Sequence, residues 1–350
     1  EWEAYPAFAE TWPEHVIKPE WQELIDGWNA RYISEGHDVD AHFPRGRTFV
    51  AGEDNFRQWE NTTWREHQRV KFDDAGLPLQ LFGEDWHYNP VQMSNFAMSQ
   101  WGAPDRKDLF MTAADKLLSM QAVDGSFPLT YTMRHYTQRY SYRAGWIDGM
   151  SPGMALSVYA RALLHTGEDR WQEAGDQVTA WLDVPFPEGA KGNLGDLHPS
   201  LAHYPFWLEY PTDPHVFTLN GFMFTLLGLF EWADIGQSAQ ARELFDAGME
   251  TLVGILPYYD MGKFSTYDLS YMTYGRLWFL EPQPPHAGIN TTGSTSPSCA
   301  PCIRLPASRN WRRLPTAGPA TFSNQISSRL ICPAPWGAGQ VTVQCATAFR

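Results

Sequence analysis

The chain has 350 residues and a formal net charge of −14, and this length allows one large or two modest domains with a buried core. The acidic balance argues against nucleic acid or an anionic membrane surface as the main partner, so an anionic substrate would need a local basic site. No apolar run reaches the roughly 18 residues of a membrane span. The 16 Trp, 20 Phe and 15 Tyr favour a glycan site only weakly, because aromatic side chains also fill cores.

Residues 1–86 are expected to form an irregular, β-rich region. Two short apolar runs, 69–72 and 77–81, flank the turn segment Asp73-Asp74-Ala75-Gly76, and this pattern predicts a β-hairpin. The segment HYNP at 87–90 then places Pro90 in the first turn of a helix, where proline is favoured. The sequence pattern becomes helical from that point.

Three pairs of helices are predicted from apolar residues at helical spacing: 90–101 with 106–122, 152–165 with 169–182, and 217–233 with 239–253. The helix at 217–233 is apolar almost all round, so we expect it to be buried. Successive helical hairpins joined by long loops predict a mainly α fold, an α/α barrel (toroid) whose loops form a cleft at one end. The barrel domain is expected over 87–285, with its last hairpin missing.

Between the first two pairs, no acidic residue lies between Asp124 and Asp148. Arginine and aromatic residues alternate there, which predicts a twisted hairpin. Guanidinium groups bind carboxylate or sulfate and aromatic rings support sugar faces, so the hairpin is a candidate anion site. An edge hairpin protected by its charges explains the pattern equally well. The candidate substrate-binding residues are Arg134, Arg139, Arg143, Tyr140 and Trp146.

Acid/base chemistry is suggested by Glu209 and Tyr210, which precede Pro211 and the apolar helix. A carboxylate beside a phenol, next to a rigid turn, is suited to proton transfer. The alternative is a capped helix start with a surface Glu and a half-buried Tyr. Tyr267 follows the third helix pair and, with an ordinary pKa of about 10, could deliver a proton without a charged donor.

The composition changes near the end of the chain. Residues 282–350 contain no Asp, Glu or Lys but hold all four cysteines. We therefore expect 286–350 to be an aberrant tail, either disordered or the product of a frameshift near residue 291. A one-base shift would turn the Thr291 and Thr292 codons into Tyr, His, Asn or Asp codons and restore a helical pattern. Cys299 and Cys302 are not followed by zinc-ribbon spacing, so no metal site is expected.

Three long segments resemble one family: LEYPTDPHVFTLNGFMFTLLGLFEW, LPYYDMGKFSTYDL and GWIDGMSPGMALSVYARAL. They are similar to blocks of the heparosan-glucuronate 5-epimerases, or D-glucuronyl C5-epimerases, and the resemblance covers about residues 65–281. It implies an α/α barrel with Glu209, Tyr210 and Tyr267 at catalytic positions. Further substrate-binding candidates are Asn220, within the first of these segments, and Tyr88, in the segment HYNP, which fits the same pattern. A later tyrosine that the family uses has no counterpart in PPHAGINTTGSTS.

The resemblance implies an isomerase that inverts carbon 5 of D-glucuronic acid, giving L-iduronic acid in a heparosan- or heparan-type polysaccharide. Such chemistry needs two acid/base groups on opposite ring faces and donors for an enolate-like carboxylate, but no metal or nucleotide cofactor. A uronate polysaccharide lyase and a non-catalytic glycan-binding relative are the alternatives. The expected partner is an anionic polysaccharide; a homodimer is compatible with the sequence, as are a Golgi-lumen and a bacterial setting. The aberrant tail would make this particular chain inactive.

Overall fold

The computed structural model describes residues 19–34, 47–48, 50–53, 69–259, 261, 266–274, 284–285, 299–306 and 340–346. Their helices are α1 (Pro19–Ser34), α2 (Pro90–Trp101), α3 (Lys107–Met120), α4 (Met150–Thr166), α5 (Asp169–Leu182), α6 (Leu219–Ile235), α7 (Ala239–Ile255) and α8 (Ser270–Thr273). Their strands are β1 (Arg47–Thr48), β2 (Val70–Phe72), β3 (Pro78–Phe82), β4 (Asp85–His87), β5 (Met133–Arg134), β6 (Ser141–Tyr142), β7 (Lys191–Asn193), β8 (Pro205–Trp207), β9 (Cys299–Pro306) and β10 (Gln340–Ala346). The fold is mainly helical, as the sequence predicts.

The helices are arranged in two layers. Helices α2, α4 and α6 are buried over most of their length, whereas α3, α5 and α7 each bury one face. Helix α4 packs against both α2 and α6, and each of these three packs against the helix that follows it. The predicted pairs are therefore present as an inner row covered by an outer row. Closure of these rows into a barrel stays a prediction.

Close packing fixes α4 against α6. A Cβ atom on Gly153 would overlap Thr225, and one on Gly228 would overlap the Gly153 carbonyl, so only glycine allows this approach of the two backbones. The Thr225 hydroxyl also donates a 2.8 Å hydrogen bond to the carbonyl of Gly149. These contacts hold the N-terminal part of α4 against the middle of α6.

A buried ion pair joins the same helices further along. Arg161 and Glu231 meet at 2.8 Å with both side chains 0% exposed. Gly52 donates its backbone N–H to Glu231, and Arg161 donates to the carbonyl of Glu53. Because Arg161 and Glu231 both lie beyond the glycine contacts in chain order, α4 and α6 run in the same direction.

The strands form small sheets. The predicted hairpin is confirmed: β2 pairs antiparallel with β3, Val70 opposite Gln80, and β4 completes this sheet. The arginine-rich hairpin is also present, with Met133 opposite Tyr142 in β5 and β6. Strand β9 lies between β1 and β10. The positions of the proposed frameshift, Thr291 and Thr292, lie outside the described residues.

None of the described helices combines the length and apolar character needed to cross a membrane.

Candidate active site

The candidate site lies where the inner helices begin. Asn89 caps α2 through its side chain, accepting a 2.9 Å hydrogen bond from the backbone N–H of Val91. Asp148 does the same for α4 by accepting hydrogen bonds from the backbone and hydroxyl of Ser151. The loop 208–218 leads into α6 and carries the acid/base candidates. The loops that carry the candidate residues thus lead directly into helix N-termini of the inner row.

Glu209 is held at the N-terminal end of α6. One carboxylate oxygen, Oε2, accepts a 3.1 Å hydrogen bond from the backbone N–H of Gly221, and the other, Oε1, accepts a 3.3 Å bond from the Tyr267 hydroxyl. A Cβ on Gly221 would lie 2.5 Å from the Cβ of Glu209. The side chain of Glu209 is only 8% exposed, so the alternative of a surface carboxylate is wrong.

Burial changes the protonation of this carboxyl. Desolvation raises the pKa of Glu209 to about 7, although hydrogen bonds from Tyr210, Tyr267 and Gly221 favour the ionised form. The charge of the nearby Asp148 contributes to this rise, and burial raises the pKa of Asp148 itself to about 6. Near neutral pH, Glu209 is therefore present both as acid and as base, which suits a proton-transfer group.

Three tyrosines surround this carboxyl. The ring of Tyr136 lies 5.6 Å from that of Tyr210 and 5.4 Å from that of Tyr267, edge to face in both cases. Burial, together with the charge of Glu209, raises the pKa of Tyr210 and of Tyr267 well above the usual value. Both phenols therefore remain neutral hydrogen-bond donors at physiological pH. Sequence analysis singled out Tyr210 and Tyr267 but missed Tyr136.

Tyr136 has a carboxylate partner of its own. Its hydroxyl donates a short hydrogen bond to Oδ2 of Asp268, while Oδ1 of Asp268 accepts a 2.7 Å bond from the backbone N–H of Ser270. Asp268 is fully buried. Two tyrosine–carboxylate pairs, Tyr267 with Glu209 and Tyr136 with Asp268, thus share one cluster.

The three arginines of the hairpin do not converge. Arg139 is half-buried, and its guanidinium carbon lies 4.8 Å from the ring centre of Tyr274. Arg134 and Arg143 are exposed, and Arg134 donates a hydrogen bond to the carbonyl of Gln138. Arg139 therefore packs against Tyr274, whose hydroxyl lies 3.4 Å from that of Thr137, the residue that follows Tyr136. Tyr140 is half-buried, and burial raises the pKa of its phenol. The positive charge of Arg139 opposes part of this rise.

Aromatic side chains continue from the tyrosine cluster to the small sheet. The Trp146 ring stacks on Tyr142 at 4.5 Å and is roughly parallel to Tyr210 at 6.5 Å. Trp146 also packs edge-on against Tyr131, which stacks on Phe82 of β3. A row of aromatic faces is well suited to the apolar faces of sugar rings.

Two remaining candidates have different surroundings. Asn220 is buried in the first turn of α6, and its side-chain oxygen finds no hydrogen-bond partner within the described part of the chain. Tyr88 lies apart from the cluster, because its hydroxyl donates a 2.7 Å bond to Asp73 and the ammonium of Lys116 lies 3.8 Å from its ring centre. Asn220 therefore has an unused acceptor at the site, whereas Tyr88 belongs to the packing of β2 and α3. Within the described ranges, no group of His, Cys, Asp and Glu is placed to hold a metal ion.

Comparison with known proteins finds one family and several relatives. Residues 121–283 match the family described as D-glucuronyl C5-epimerase C-terminus. A D-glucuronyl C5-epimerase of Caenorhabditis elegans is 26% identical over 178 residues, covering 47% of this chain and 28% of that protein. An uncharacterized protein of Methanocaldococcus jannaschii is 25% identical over 129 residues, covering 37% of this chain and 41% of that protein. The chain thus spans less than half the length of either relative, and the family match contains both tyrosine–carboxylate pairs.

Proposed function

Because residues 121–283 carry the C-terminal region of the D-glucuronyl C5-epimerase family, we propose that this chain inverts carbon 5 of glucuronate units in a polysaccharide. The substrate in this proposal is a heparosan- or heparan-type chain, in which D-glucuronic acid becomes L-iduronic acid. The reaction removes the proton from carbon 5 and returns one to the opposite face of the ring.

The observation that carries the proposal is the hydrogen bond between Tyr267 and the buried carboxyl of Glu209. The proton at carbon 5 is only weakly acidic, so its removal needs a base whose pKa is close to the working pH. Glu209 has a pKa of about 7, which allows it to take up or release a proton near neutrality. Tyr267 and Tyr210 supply neutral phenols that can relay this proton to the sugar ring.

Charge that develops during the reaction must be stabilised. Loss of the carbon 5 proton makes the uronate carboxylate enolate-like, and fixed donors aimed at it lower the barrier. Arg139 offers a guanidinium that packs against Tyr274, and the phenol of Tyr210 offers a neutral donor. Trp146 and Tyr142 provide aromatic faces on which the sugar can rest.

The proposal extends to the architecture. The inner row of α2, α4 and α6, in which α4 and α6 run in the same direction, is covered by α3, α5 and α7 and supports an α/α barrel over 87–285. In this division, 1–86 is the N-terminal region, which contains helix α1 as well as the expected short strands, and 286–350 is the aberrant tail.

Incubation of the chain with heparosan in deuterated water tests the function. Deuterium at carbon 5 of L-iduronate is expected for an epimerase. A product that absorbs ultraviolet light through a new double bond would instead show a lyase, and binding without either change would show a glycan-binding protein. The matched controls are Glu250→Gln, on the exposed face of α7, and Tyr159→Phe, whose hydroxyl bonds Gln121 away from the cluster.

The nature of the tail is tested separately. A frameshift predicts that the nucleotide sequence around codon 291 has an alternative frame that encodes the missing helix pair without early stop codons. Unlike the proposed function, this alternative predicts that the chain as given is inactive. Deuterium incorporation by this chain would therefore support the proposed function and contradict the frameshift.

A further inference from the structure

We propose that Tyr136 is a second catalytic residue, acting on the ring face opposite to Glu209, and that Asp268 is the positioning residue that accepts its proton. This inference rests on the proposed epimerase function and deepens it. The motif resemblance assigns no role to Tyr136, which lies outside the three matching blocks, in the loop between β5 and β6.

Contact with both catalytic candidates places Tyr136 at the reaction centre. Its ring meets the rings of Tyr210 and Tyr267 edge to face at 5.6 and 5.4 Å. The side chain of Tyr136 is half-buried and so keeps some contact with solvent, whereas its partner Asp268 is fully buried. A sugar that meets Tyr267 and Tyr210 therefore also meets Tyr136.

The surroundings of Asp268 suit a proton acceptor. The backbone N–H of Ser270 fixes one carboxylate oxygen, which leaves the other directed at the Tyr136 hydroxyl. The Thr218 hydroxyl lies 3.4 Å from the same phenol oxygen, next to the start of α6. Burial and the charge of Asp268 raise the pKa of Tyr136 well above its usual value, which disfavours a free phenolate. Proton transfer through Tyr136 is then expected to be concerted.

The proposed step is balanced in atoms and charge. The carbon 5–hydrogen bond breaks, its proton moves to the oxygen of Tyr136, and the proton already on that oxygen moves to Oδ2 of Asp268. The electron pair of the broken bond becomes the enolate of the uronate. Glu209, in its protonated form, then supplies a proton through Tyr267 to the other face of carbon 5 and becomes ionised. The reverse reaction, or exchange with water, restores both carboxyl groups.

Neighbouring tyrosines lack this arrangement. The Tyr142 hydroxyl is buried and has no hydrogen-bond partner among the described residues. The Tyr274 hydroxyl lies 3.4 Å from the hydroxyl of Thr137, which is not a carboxylate. Among the tyrosines that line the hairpin side of the cluster, Tyr136 is therefore the one whose phenol is bonded to a carboxylate. It can fill the role of the later family tyrosine that has no counterpart in the sequence.

Two polymers separate a catalytic role from a structural one. One contains D-glucuronate and the other L-iduronate, and each is incubated in deuterated water with the full chain and its variants. Removing the group for one face should block inversion of both polymers. Such a variant should still exchange the carbon 5 proton for deuterium, without inversion, on the one polymer whose carbon 5 proton faces the group that remains. Tyr136→Phe and Glu209→Gln should therefore retain exchange on opposite polymers.

Magnitudes and controls follow from acid/base catalysis. Tyr136→Phe should lower kcat for inversion by at least about 100-fold. Asp268→Asn should retain exchange on the same polymer as Tyr136→Phe, and its KM should be unchanged. Tyr159→Phe should behave as the unchanged chain. Inversion by Tyr136→Phe at the unchanged rate, or equal loss of exchange on both polymers, would overturn the proposal. A complete absence of exchange by the unchanged chain would instead overturn the proposed function, and with it the role of Tyr136.

Discussion

The Tyr267 hydroxyl donates a 3.3 Å hydrogen bond to Glu209, although 58 residues separate the two in the chain. A backbone hydrogen bond joins the same two loops: the N–H of Leu219, the first residue of α6, donates to the Tyr267 carbonyl. Two sequence motifs therefore meet at one helix N-terminus. The loop before α6 and the loop after α7 act as one unit that holds the carboxyl and the phenol together.

Stability should depend on pH through Glu209. Burial raises the pKa of Glu209 from 4.5 to about 7, so the folded state binds this proton more tightly than the unfolded state. The free energy of unfolding should therefore fall as pH rises from about 4.5 to about 7 and then level off. Glu209→Gln removes this loss and should be more stable than the unchanged chain at pH 8 by roughly 3 kcal/mol.

Urea denaturation at several pH values measures this difference, with Glu250→Gln as the exposed control. At pH 4 the Glu209→Gln variant and the unchanged chain should differ little. A difference that stays constant between pH 4 and pH 8 would show that the carboxyl of Glu209 has an ordinary pKa.

Gly221→Ala should damage the site. The new Cβ would lie 2.5 Å from Glu209 Cβ and 2.6 Å from its Oε2, so the carboxyl must move away from Tyr267. We expect a loss of about 1–3 kcal/mol in stability and a strong loss of inversion. Gly27→Ala is the control, because Gly27 is exposed in α1 and nothing lies within 4 Å of its Cβ position. Unchanged inversion by Gly221→Ala would mean that the position of Glu209 is unimportant.

The arginines of the hairpin should contribute unequally to binding. Arg139→Ala should weaken binding of a uronate polymer and make the remaining binding less sensitive to salt, because Arg139 is half-buried against Tyr274. Arg134→Ala and Arg143→Ala remove exposed charges and should have smaller effects. Titration at low and high salt compares the three variants. Equal effects would favour a general electrostatic attraction over a local site.

Stability should also depend on the buried pair of α4 and α6. Arg161→Met leaves the Glu231 carboxyl without its guanidinium, and breaking a buried pair in this way costs about 3–5 kcal/mol. The double variant Arg161→Met with Glu231→Leu should recover much of that loss. Denaturation curves of the two single variants and the double variant measure the coupling. Simple addition of the two single losses would show that the groups act independently.

The sequence predicted helices well where local capping signals are strong. Helix α2 begins at Pro90 because Pro is favoured there and Asn89 caps the turn. Helix α6 begins at Leu219 rather than residue 217, since Phe217 has φ 54° and cannot be helical. Helix α4 begins at Met150 rather than residue 152, because the Asp148 side chain caps its first turn. Local patterns therefore located the helices within a few residues.

Contacts between distant segments were harder to predict. Motif resemblance identified Glu209 and Tyr267, but no local pattern connects Tyr136 with Asp268 or Arg161 with Glu231. Alternation along a hairpin places successive side chains on opposite faces, so a cluster of arginines in sequence does not become a cluster in space. Pairing of this kind depends on the packing of α4 against α6 and of the loops above them.

The most direct test of the account is the nuclear magnetic resonance spectrum of heparosan after incubation with the chain in deuterated water. The account predicts L-iduronate units carrying deuterium at carbon 5. It also predicts that Glu209→Gln and Tyr267→Phe, folded as judged by circular dichroism, give none, whereas Glu250→Gln and Tyr159→Phe give the unchanged amount. Deuterated L-iduronate from both Glu209→Gln and Tyr267→Phe at the unchanged rate would contradict the assignment of this site.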